Sequence, residues 1–553
     1  MLRGLAKFVL LTGLLGAACA DRAAAQSAVD RAGRAEAAVR AERLRDAAPA
    51  PAPSTPGLAL PSNMGQAAAQ GQGIVVGAVR IEGTSALPVS AFAPAIEPYL
   101  GRTLGEGELR RLAGDVAQVA RNAGYGLATA QVPQQKVLGG VLRVAVDEGR
   151  IDGVEVTGDG KASVEPLLAR LVTGKPVLTR DLERQLLLAG DAAGVTTSGA
   201  RIEDRKGRRI LCLKAVRRRA AGRLTVDNWG SREVGPVMAT LSYDLNGIAA
   251  ADDSLSVSGS LTPRVREFAS LSAYYTKKLN RRGTEMSVGA SWYRVRPGGS
   301  LAQDRLAGET VEADMALSHP LVRTRKASLW GGLEGMLLDS NLDQAGLPAR
   351  RDRIRTVSAT LSGNVAVAGG RLRGRVALVE GLPALGATRE GAPLASRSDG
   401  SAVFTKLEFW GEYRGRLAGP LSLTLAATGQ LASRPLLMNM EMGLGGRRFL
   451  RGYDYRELSG DDGIAGSAEL RWDVGRFAPL RTRLELYGYA DAGRVTNLRG
   501  GAGGGSLASA GGGMRLHILK ATDVGLELGV PLKATAYDPS PRPRFSFTFG
   551  QGF

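Results

Sequence analysis

The sequence predicts a transmembrane β-barrel of about 16 antiparallel strands, preceded by two small α+β modules and an N-terminal helix. Residues 220–553 consist of short segments in which polar and apolar side chains alternate. The chain begins with an export signal, and a module pattern returns after about 75 residues. Together these features indicate an exported protein with a soluble N-terminal part and a membrane-embedded C-terminal part.

The composition excludes several functional classes. The chain has 553 residues, a formal net charge of +19, 75 glycines, two cysteines and two histidines. Two cysteines cannot build a zinc ribbon or an iron–sulfur site, and a count of two histidines argues against a multi-histidine metal site. The chain also lacks the G-x-x-x-x-G-K-[ST] motif of P-loop NTPases. We therefore expect no metal, no cofactor and no enzymatic activity.

Residues 1–25 have the three parts of a secretory signal peptide. Arg3 and Lys7 precede an apolar run at 8–15, and an alanine triplet ends at Ala25. The run is too short to cross about 30 Å of hydrocarbon. A lipoprotein signal at Cys19 is the weaker alternative. The sequence thus predicts cleavage after Ala25.

Residues 26–47 predict a helix, and residues 48–72 predict a linker. The helix is rich in Ala, Arg and Glu and has no broad apolar stripe. Such a helix lies in solvent or in a wet cavity rather than in a core. The linker is extended and semi-rigid because it contains Pro49, Pro51, Pro53, Pro56 and Pro61.

Residues 73–150 and 151–219 predict two related modules. The first reads strand, helix, helix, strand, strand, with Thr103 as the expected N-cap of its long helix. Segments 79–83 and 101–104 return as 154–158 and 174–177. Chance similarity between helices rich in Leu and Arg is the alternative to a tandem repeat.

Residues 220–553 alternate in the way that a membrane barrel requires. In 483–491 the odd positions are polar or aromatic and include Asp491, whereas the even positions are apolar or small. A soluble sandwich also alternates, but export and segments of about 10 residues favour a barrel in the outer membrane of a Gram-negative bacterium.

Connections in the predicted barrel alternate between short and long. An even number of strands places both barrel ends, and therefore the two modules, in the periplasm. The expected short periplasmic turns are 280–283, 417–420 and 519–521, and the expected long external loops are 294–308, 339–353, 381–401 and 432–462.

The longest predicted loop, 432–462, carries the candidate functional motif. It contains Arg451, and Asp491 has the parity of a lumen-facing residue. A charge-assisted contact between the two would pin the loop inside the pore. On spacing alone, an exposed loop arginine that never meets Asp491 remains the simpler alternative.

The same motifs resemble those of a known family. Residues 450–453 match its [VL]-R-G-[FY] loop motif, residues 488–493 match its D-x-G strand motif, and 227–232 at the first barrel strand are also similar. Across 27–553 the chain resembles the outer-membrane transporters of two-partner secretion, the family of the haemolysin activators and the filamentous haemagglutinin transporter.

The resemblance implies a plug helix at 26–47, POTRA (polypeptide-transport-associated) modules at 73–150 and 151–219, and a sixteen-stranded barrel at 220–553 with loop 432–462 in the lumen. It implies secretion, without ATP, of a large unfolded exoprotein of the haemolysin or adhesin type. This partner carries an N-terminal secretion domain and binds POTRA surfaces by strand addition. The implied site residues are Leu450, Arg451, Gly452 and Tyr453 on the loop, with Asp491 and Gly493 on the wall.

Other functions stay open at this point. A barrel-assembly or insertion factor of the same superfamily is the principal alternative. A passive porin would not carry the repeated modules, and an enzyme barrel would have to use Ser459, Asp461 or Asp462 without a convincing base. The positive charge suits outer-membrane lipids and anionic lipopolysaccharide, and no nucleic-acid partner is expected.

Overall fold

The structure is a computed structural model that describes residues 66–67, 73–477, 482–499, 503–519, 521–535 and 538–553. The predicted signal peptide at 1–25, the helix at 26–47 and most of the linker at 48–72 lie outside these residues. Within the described ranges, no helix is both long and apolar enough to span a bilayer.

The first module folds around a long amphipathic helix. Thr103 is not the N-cap of this helix, because it pairs with Val75 in a short ladder. The N-cap is Gly105, whose N–H donates to Glu108 Oε2 at 3.1 Å. The module contains β1 (Gln66–Ala67), β2 (Ile74–Val76), β3 (Ala78–Glu82), α1 (Ala93–Ile96), β4 (Arg102–Leu104), α2 (Glu106–Asn122), β5 (Thr129–Val132) and β6 (Val141–Asp147).

The second module repeats the order strand, helix, helix, strand, strand. It contains β7 (Gly153–Thr157), α3 (Lys161–Leu168), α4 (Thr179–Gly190), β8 (Val195–Arg205) and β9 (Arg208–Arg217), with the sheet order β7-β9-β8. Leu127 of the first module packs into its core. The Thr179 N–H donates to Gly124 O at 2.9 Å, so the two modules are joined by side-chain packing and by backbone hydrogen bonds.

The C-terminal part is a closed antiparallel barrel of sixteen strands, which confirms the predicted fold class. The first and last strands close it through the pairs Arg223 with Gly552 to Asp227 with Thr548. The sixteen strands are β10 (Ala220–Asp227), β11 (Met238–Asn246), β12 (Asp253–Leu261), β13 (Phe268–Lys278), β14 (Glu285–Val295), β15 (Leu306–Arg323), β16 (Ala327–Gln344), β17 (Leu347–Val367), β18 (Gly370–Gly381), β19 (Thr405–Ala418), β20 (Leu421–Ala432), β23 (Asp462–Phe477), β24 (Thr482–Thr496), β25 (Gly505–Ile518), β26 (Thr522–Pro531) and β27 (Arg544–Gly552).

The outer surface of the barrel is apolar. Alternate residues on each strand point to opposite faces, so one row of each strand faces lipid and the other faces the lumen. The outward rows include Leu271, Leu333, Leu361, Leu470, Trp472 and Phe545, all of which are exposed on the barrel exterior. The predicted parity of 483–491 therefore separates the membrane face from the lumen face.

The predicted loop at 339–353 is wrong. Strands β16 and β17 continue through this segment and turn at Ala345 and Gly346. Asp339 pairs with Arg353 across the ladder, and Arg351 Nη2 lies 2.6 Å from Asp343 Oδ1. Charged residues on both faces of a strand resemble a loop in sequence, but cross-strand ion pairs stabilise a hairpin that extends beyond the apolar band.

The second module contacts the end of the barrel where the chain enters and leaves it. Arg323 on β15 donates to both carboxylate oxygens of Asp191, which follows α4, at 2.8 and 2.5 Å. Lys278 at the end of β13 donates to Asp191 O at 2.9 Å. Arg218 donates to Phe553 O at 2.8 Å. The module therefore sits against the periplasmic turns and against both ends of the barrel chain.

Candidate functional site in the barrel lumen

The segment between β20 and β23 folds inward and packs against the wall formed by β23 to β25. Its two short strands, β21 (Met442–Leu444) and β22 (Leu458–Gly460), pair as a separate hairpin. Leu450 is fully buried at a left-handed φ of 61°, and Phe449 packs in the same apolar cluster. This unusual backbone angle is maintained by the packing around it and turns the next residue toward the wall.

Arg451 makes three hydrogen bonds to one carboxylate on the wall. Its backbone N–H and its Nε donate to Asp491 Oδ2, each at 3.1 Å, and its Nη2 donates to Asp491 Oδ1 at 3.1 Å. Nη1 donates to Glu469 Oε2 at 2.6 Å. Both Arg451 and Asp491 are buried. The fork of the guanidinium matches the carboxylate in a way that a lysine ammonium could not.

Aromatic rings and a third carboxylate complete the surroundings of Arg451. The guanidinium carbon lies 3.3 Å from the centre of the Tyr489 ring, which places the cation on the ring face. The Tyr489 hydroxyl donates to Glu527 Oε1 at 3.1 Å, and the Tyr487 hydroxyl donates to Glu527 Oε2 at 2.7 Å. Glu527 itself lies 3.7 Å from Arg451 Nη1.

Two further arginines extend this cluster toward the periplasm. Arg515 donates to Glu469 at 2.9 Å and to Glu485 at 2.8 Å, and Arg471 donates to Glu469 at 2.6 Å. Paired charges of opposite sign hold one another in a low-dielectric site and leave little net charge on the wall. We call the network of Arg451, Arg471, Arg515, Asp491, Glu469, Glu485, Glu527, Tyr487 and Tyr489 the arginine clasp.

Sequence reasoning selected only Arg451 and Asp491 from the arginine clasp. Its other members lie on β23 to β26, where lumen parity was readable for each strand. Their proximity depends on the register between strands: Glu469 pairs with Tyr489, and Tyr489 pairs with Gly511. Register cannot be read from one strand alone, although acidic side chains at lumen positions on neighbouring strands were a usable signal.

The other motif residues fit the loop against the wall. A Cβ on Gly452 would lie 2.7 Å from Pro531 N, so only glycine allows this approach to β26. The Tyr453 hydroxyl donates to Ala508 O at 2.9 Å and accepts from Lys533 N at 2.9 Å. A Cβ on Gly493 would lie 3.0 Å from Leu444 Cδ2. The absence of a side chain at Gly493 therefore leaves room for the inner hairpin.

Glycines on β25 and β26 make space for the tyrosines of the clasp. Cβ atoms on Gly511 and Gly529 would lie 2.6 and 2.8 Å from the Tyr489 hydroxyl. A Cβ on Gly513 would lie 2.6 Å from the Tyr487 hydroxyl. The two rings can therefore lie across neighbouring strands, which accounts physically for part of the high glycine content.

A second arginine ties the inward loop to the loop that follows β18. Arg397 Nη1 donates to Glu441 Oε1 and to Asp461 Oδ1, each at 2.9 Å. Asp461 also accepts the Leu436 N–H at 2.7 Å, and Ser459 donates to Glu441 at 2.7 Å. Ser459 and Asp461, the residues considered for an enzyme, thus hold the loops together.

The described residues contain no group of three or more His, Cys, Asp or Glu side chains arranged for a metal ion. The arginine clasp is instead an internal brace made from paired charges. A barrel with a braced inward loop and two periplasmic modules defines the class: an outer-membrane β-barrel transporter with POTRA modules.

Comparisons with known proteins agree with this class. The chain belongs to the family described as haemolysin secretion/activation protein ShlB/FhaC/HecB, whose family model matches residues 210–516. The POTRA domain of ShlB type matches residues 74–149. Two-partner secretion transporters of this family are outer-membrane secretion pores with periplasmic POTRA modules.

Individual relatives have low sequence identity to this chain, but their alignments cover most of it. The outer membrane transporter CdiB of Escherichia coli O6:K15:H31 (strain 536 / UPEC) is 23% identical over 451 residues, covering 78% of this chain and 74% of that protein. The heme/hemopexin transporter protein HuxB of Haemophilus influenzae (strain ATCC 51907 / DSM 11121 / KW20 / Rd) is 20% identical over 393 residues, covering 67% of each. The solved structure of CdiB from Escherichia coli has a TM-score of 0.72 at 20% identity, covering 95% of this chain and 98% of that one, which shows the shared fold.

Proposed function

We propose that this chain recognises a large, unfolded exoprotein in the periplasm and secretes it to the cell surface without ATP. The observation that carries the proposal is the asymmetry of the lumen. The arginine clasp braces the inward loop against β23 to β26, while a cavity of about 940 Å³ lies beside β11 to β20 and reaches Leu188 and Asp191 of the second module. A polypeptide that leaves this module therefore meets the cavity first.

Recognition is assigned to the two modules. The β7-β9-β8 sheet has two edge strands, and Val75 and Leu138 on the first module are exposed apolar side chains. An extended peptide gains backbone hydrogen bonds when it adds to a sheet edge, while alternate side chains enter neighbouring pockets. The proposed ligand is a haemolysin- or adhesin-like exoprotein with an N-terminal secretion domain.

The arginine clasp is assigned to holding the loop in a defined place while the pore works. If Asp491 lost Arg451, its carboxylate would be buried without its main donors, at a cost of about 3–5 kcal/mol. The loop consequently stays attached to the wall during thermal fluctuations, and a passing chain does not have to displace it. Folding of the exoprotein outside the cell would supply direction without nucleotide hydrolysis.

The direct test is a comparison of exported proteins with and without this chain. Deletion is expected to remove one large exoprotein from the medium and cell surface, and re-expression is expected to restore it. The levels of other outer-membrane barrels distinguish the alternative function. Unchanged secretion together with a general loss of other barrels would refute the proposal in favour of a barrel-assembly factor.

A further inference from the structure

The lumen surface of β11 to β14 is made largely of hydroxyl side chains that bond one another across strands. The hydroxyl oxygens of Thr240 and Ser260 lie 2.8 Å apart, and so do those of Ser258 and Ser272. Thr276 donates to Ser287 at 3.1 Å. These six residues define what we call the hydroxyl wall. Each pair is satisfied laterally, so the wall exposes neutral oxygens without leaving a buried polar group unbonded.

The opposite wall has a different chemistry. From β18 onward the lumen surface carries fixed ion pairs such as that of Arg373, which donates to Glu412 at 3.0 Å. A further pair joins Arg375 to Glu334 on β16 at 2.6 Å and lies in the lining of the cavity. The arginine clasp continues this charged surface. Charge-assisted hydrogen bonds are about twice as strong as neutral ones. A peptide that contacted these charged groups would first have to break their existing ion pairs, and it would then be held tightly.

The cavity lies along the hydroxyl wall. Its lining includes Ser258, Ser272 and Thr276 on the wall, Leu188 at the periplasmic end, and Met440 and Tyr455 from the inward loop. The lining is therefore continuous from the second module, past the hydroxyls, to the loop that is braced on the far side.

We propose that the hydroxyl wall is the track along which the exoprotein crosses the lumen as an extended chain. This inference rests on the secretion function proposed above. A moving backbone can exchange hydrogen bonds with successive Ser and Thr oxygens, each of which returns to its cross-strand partner when the peptide moves on. Because neutral hydrogen bonds contribute only about 1 kcal/mol each, no position on the track traps the chain.

The first test is site-specific photocrosslinking in whole cells that express the full chain. The probe is the exported protein that deletion removes from the medium, fused to a C-terminal domain closed by a disulfide so that export stalls. A photoreactive phenylalanine analogue is placed at Ser258 on the track, at Arg414 on the charged wall, or at the lipid-facing Val257. Ser258 is expected to give the dominant crosslink. A dominant crosslink from Arg414, or none from Ser258 with a stalled substrate, would overturn the inference and leave the secretion function intact.

The second test measures secretion in substituted full-length chains at matched barrel levels. Ser258→Arg is expected to reduce secretion about tenfold, since a barrier increase of about 1.4 kcal/mol has this effect. The matched control is Ser422→Arg on β20, which adds the same charge to the charged wall. Equal losses for both arginine variants would contradict the track, whereas an exoprotein whose export does not depend on this chain would refute the proposed function itself.

Discussion

Arg451 and Asp491 are joined by three hydrogen bonds, one from the backbone N–H of Arg451 and two from its guanidinium. The backbone contribution fixes the path of the loop, and the side-chain fork fixes the orientation of the arginine. The face of Tyr489 closes the remaining side of the guanidinium. The pair therefore positions a loop rather than a reactive group, because every donor that it uses is directed at the barrel wall.

Arg451→Ala is expected to reduce secretion strongly while leaving the barrel inserted. The variant keeps all sixteen strands but removes both guanidinium hydrogen bonds from Asp491 and one of the three arginine donors from Glu469, at a cost of about 3–5 kcal/mol to the attachment of the loop. Secretion should be measured against the amount of folded barrel in outer-membrane fractions.

The matched control for this experiment is Arg434→Ala. Arg434 lies in the same connection between β20 and β23, but its side chain is exposed. Loss of an exposed arginine should leave secretion near the level of the unaltered chain. Normal secretion by Arg451→Ala at matched barrel levels would remove the clasp from the mechanism.

Gly452→Val is expected to lift the loop from β26. The added side chain would start 2.7 Å from Pro531 N, inside the contact distance of the two atoms, so the loop must move or β26 must bend. Protease sensitivity of the loop in intact cells should rise, and secretion should fall. Gly335→Val is the control, because a Cβ at Gly335 meets nothing within 4 Å. Equal sensitivity in the two variants would count against steric fixation of the loop.

The barrel could be predicted from the sequence because the alternation of lumen-facing and lipid-facing residues can be recognised within each strand alone. Alternation along 483–491 is enough to place Asp491 in the lumen of a barrel, and the predicted export signal favours a membrane barrel over a soluble sandwich. The remainder of the arginine clasp required strand register. Glu527 approaches Arg451 across two strands, so the contact depends on the cumulative alignment of β24, β25 and β26. No local pattern encodes that alignment.

Two local predictions failed where tertiary pairing overrode local preference. Thr103 has a side chain suited to an N-cap, but its backbone is used in the β2–β4 ladder. The charged segment 339–353 resembles a solvated loop, but its ion pairs lie across a hairpin. Thr103 pairs with a strand much earlier in the chain, and the two charged halves of 339–353 pair with each other, so the propensity of a single segment reveals neither pairing.

Backbone amides in one loop of the first module should lose protection from hydrogen exchange as the pH falls. Glu148 accepts hydrogen bonds from Ala86, Ser85 and Leu87 N–H groups at 2.7 to 3.1 Å. Burial alone would raise the pKa of Glu148, but these backbone donors together with the Ser85 hydroxyl outweigh it and lower the pKa below the ordinary 4.5. The stabilisation is therefore present above pH 4.5 and is lost as the pH falls through the lowered pKa.

Amide hydrogen exchange in the full chain tests this pH dependence. The Ser85 to Leu87 amides should be protected near pH 7 and should exchange faster, relative to the intrinsic rate, once the pH has fallen through the lowered pKa of Glu148. Glu148→Gln should remove most of this protection near pH 7, because a neutral amide oxygen is the weaker acceptor. Glu165→Gln, which alters a half-exposed carboxylate on α3, should leave it unchanged. Protection in Glu148→Gln equal to that of the unaltered chain would contradict the assigned role.

Asp191→Ala is expected to loosen the second module from the barrel. Arg323 is almost fully buried and donates to both Asp191 oxygens, so the variant leaves a buried guanidinium without its carboxylate, at a cost of about 3–5 kcal/mol. Cleavage by an added protease near Arg217 to Arg219 should accelerate in outer-membrane preparations opened on the periplasmic side. Secretion should fall as well, because the cavity would no longer begin beside the module that delivers the exoprotein.

The control for Asp191→Ala is Glu155→Ala, which breaks a pair with Arg205 on the surface of the same module. Both of those side chains are about half exposed, and such pairs contribute about 1 kcal/mol or less. Cleavage and secretion should therefore stay near the unaltered values. Asp191→Ala could instead behave like Glu155→Ala in both measurements. The module would then be held by its chain connection and packing alone, and delivery into the lumen would not depend on the pair between Asp191 and Arg323.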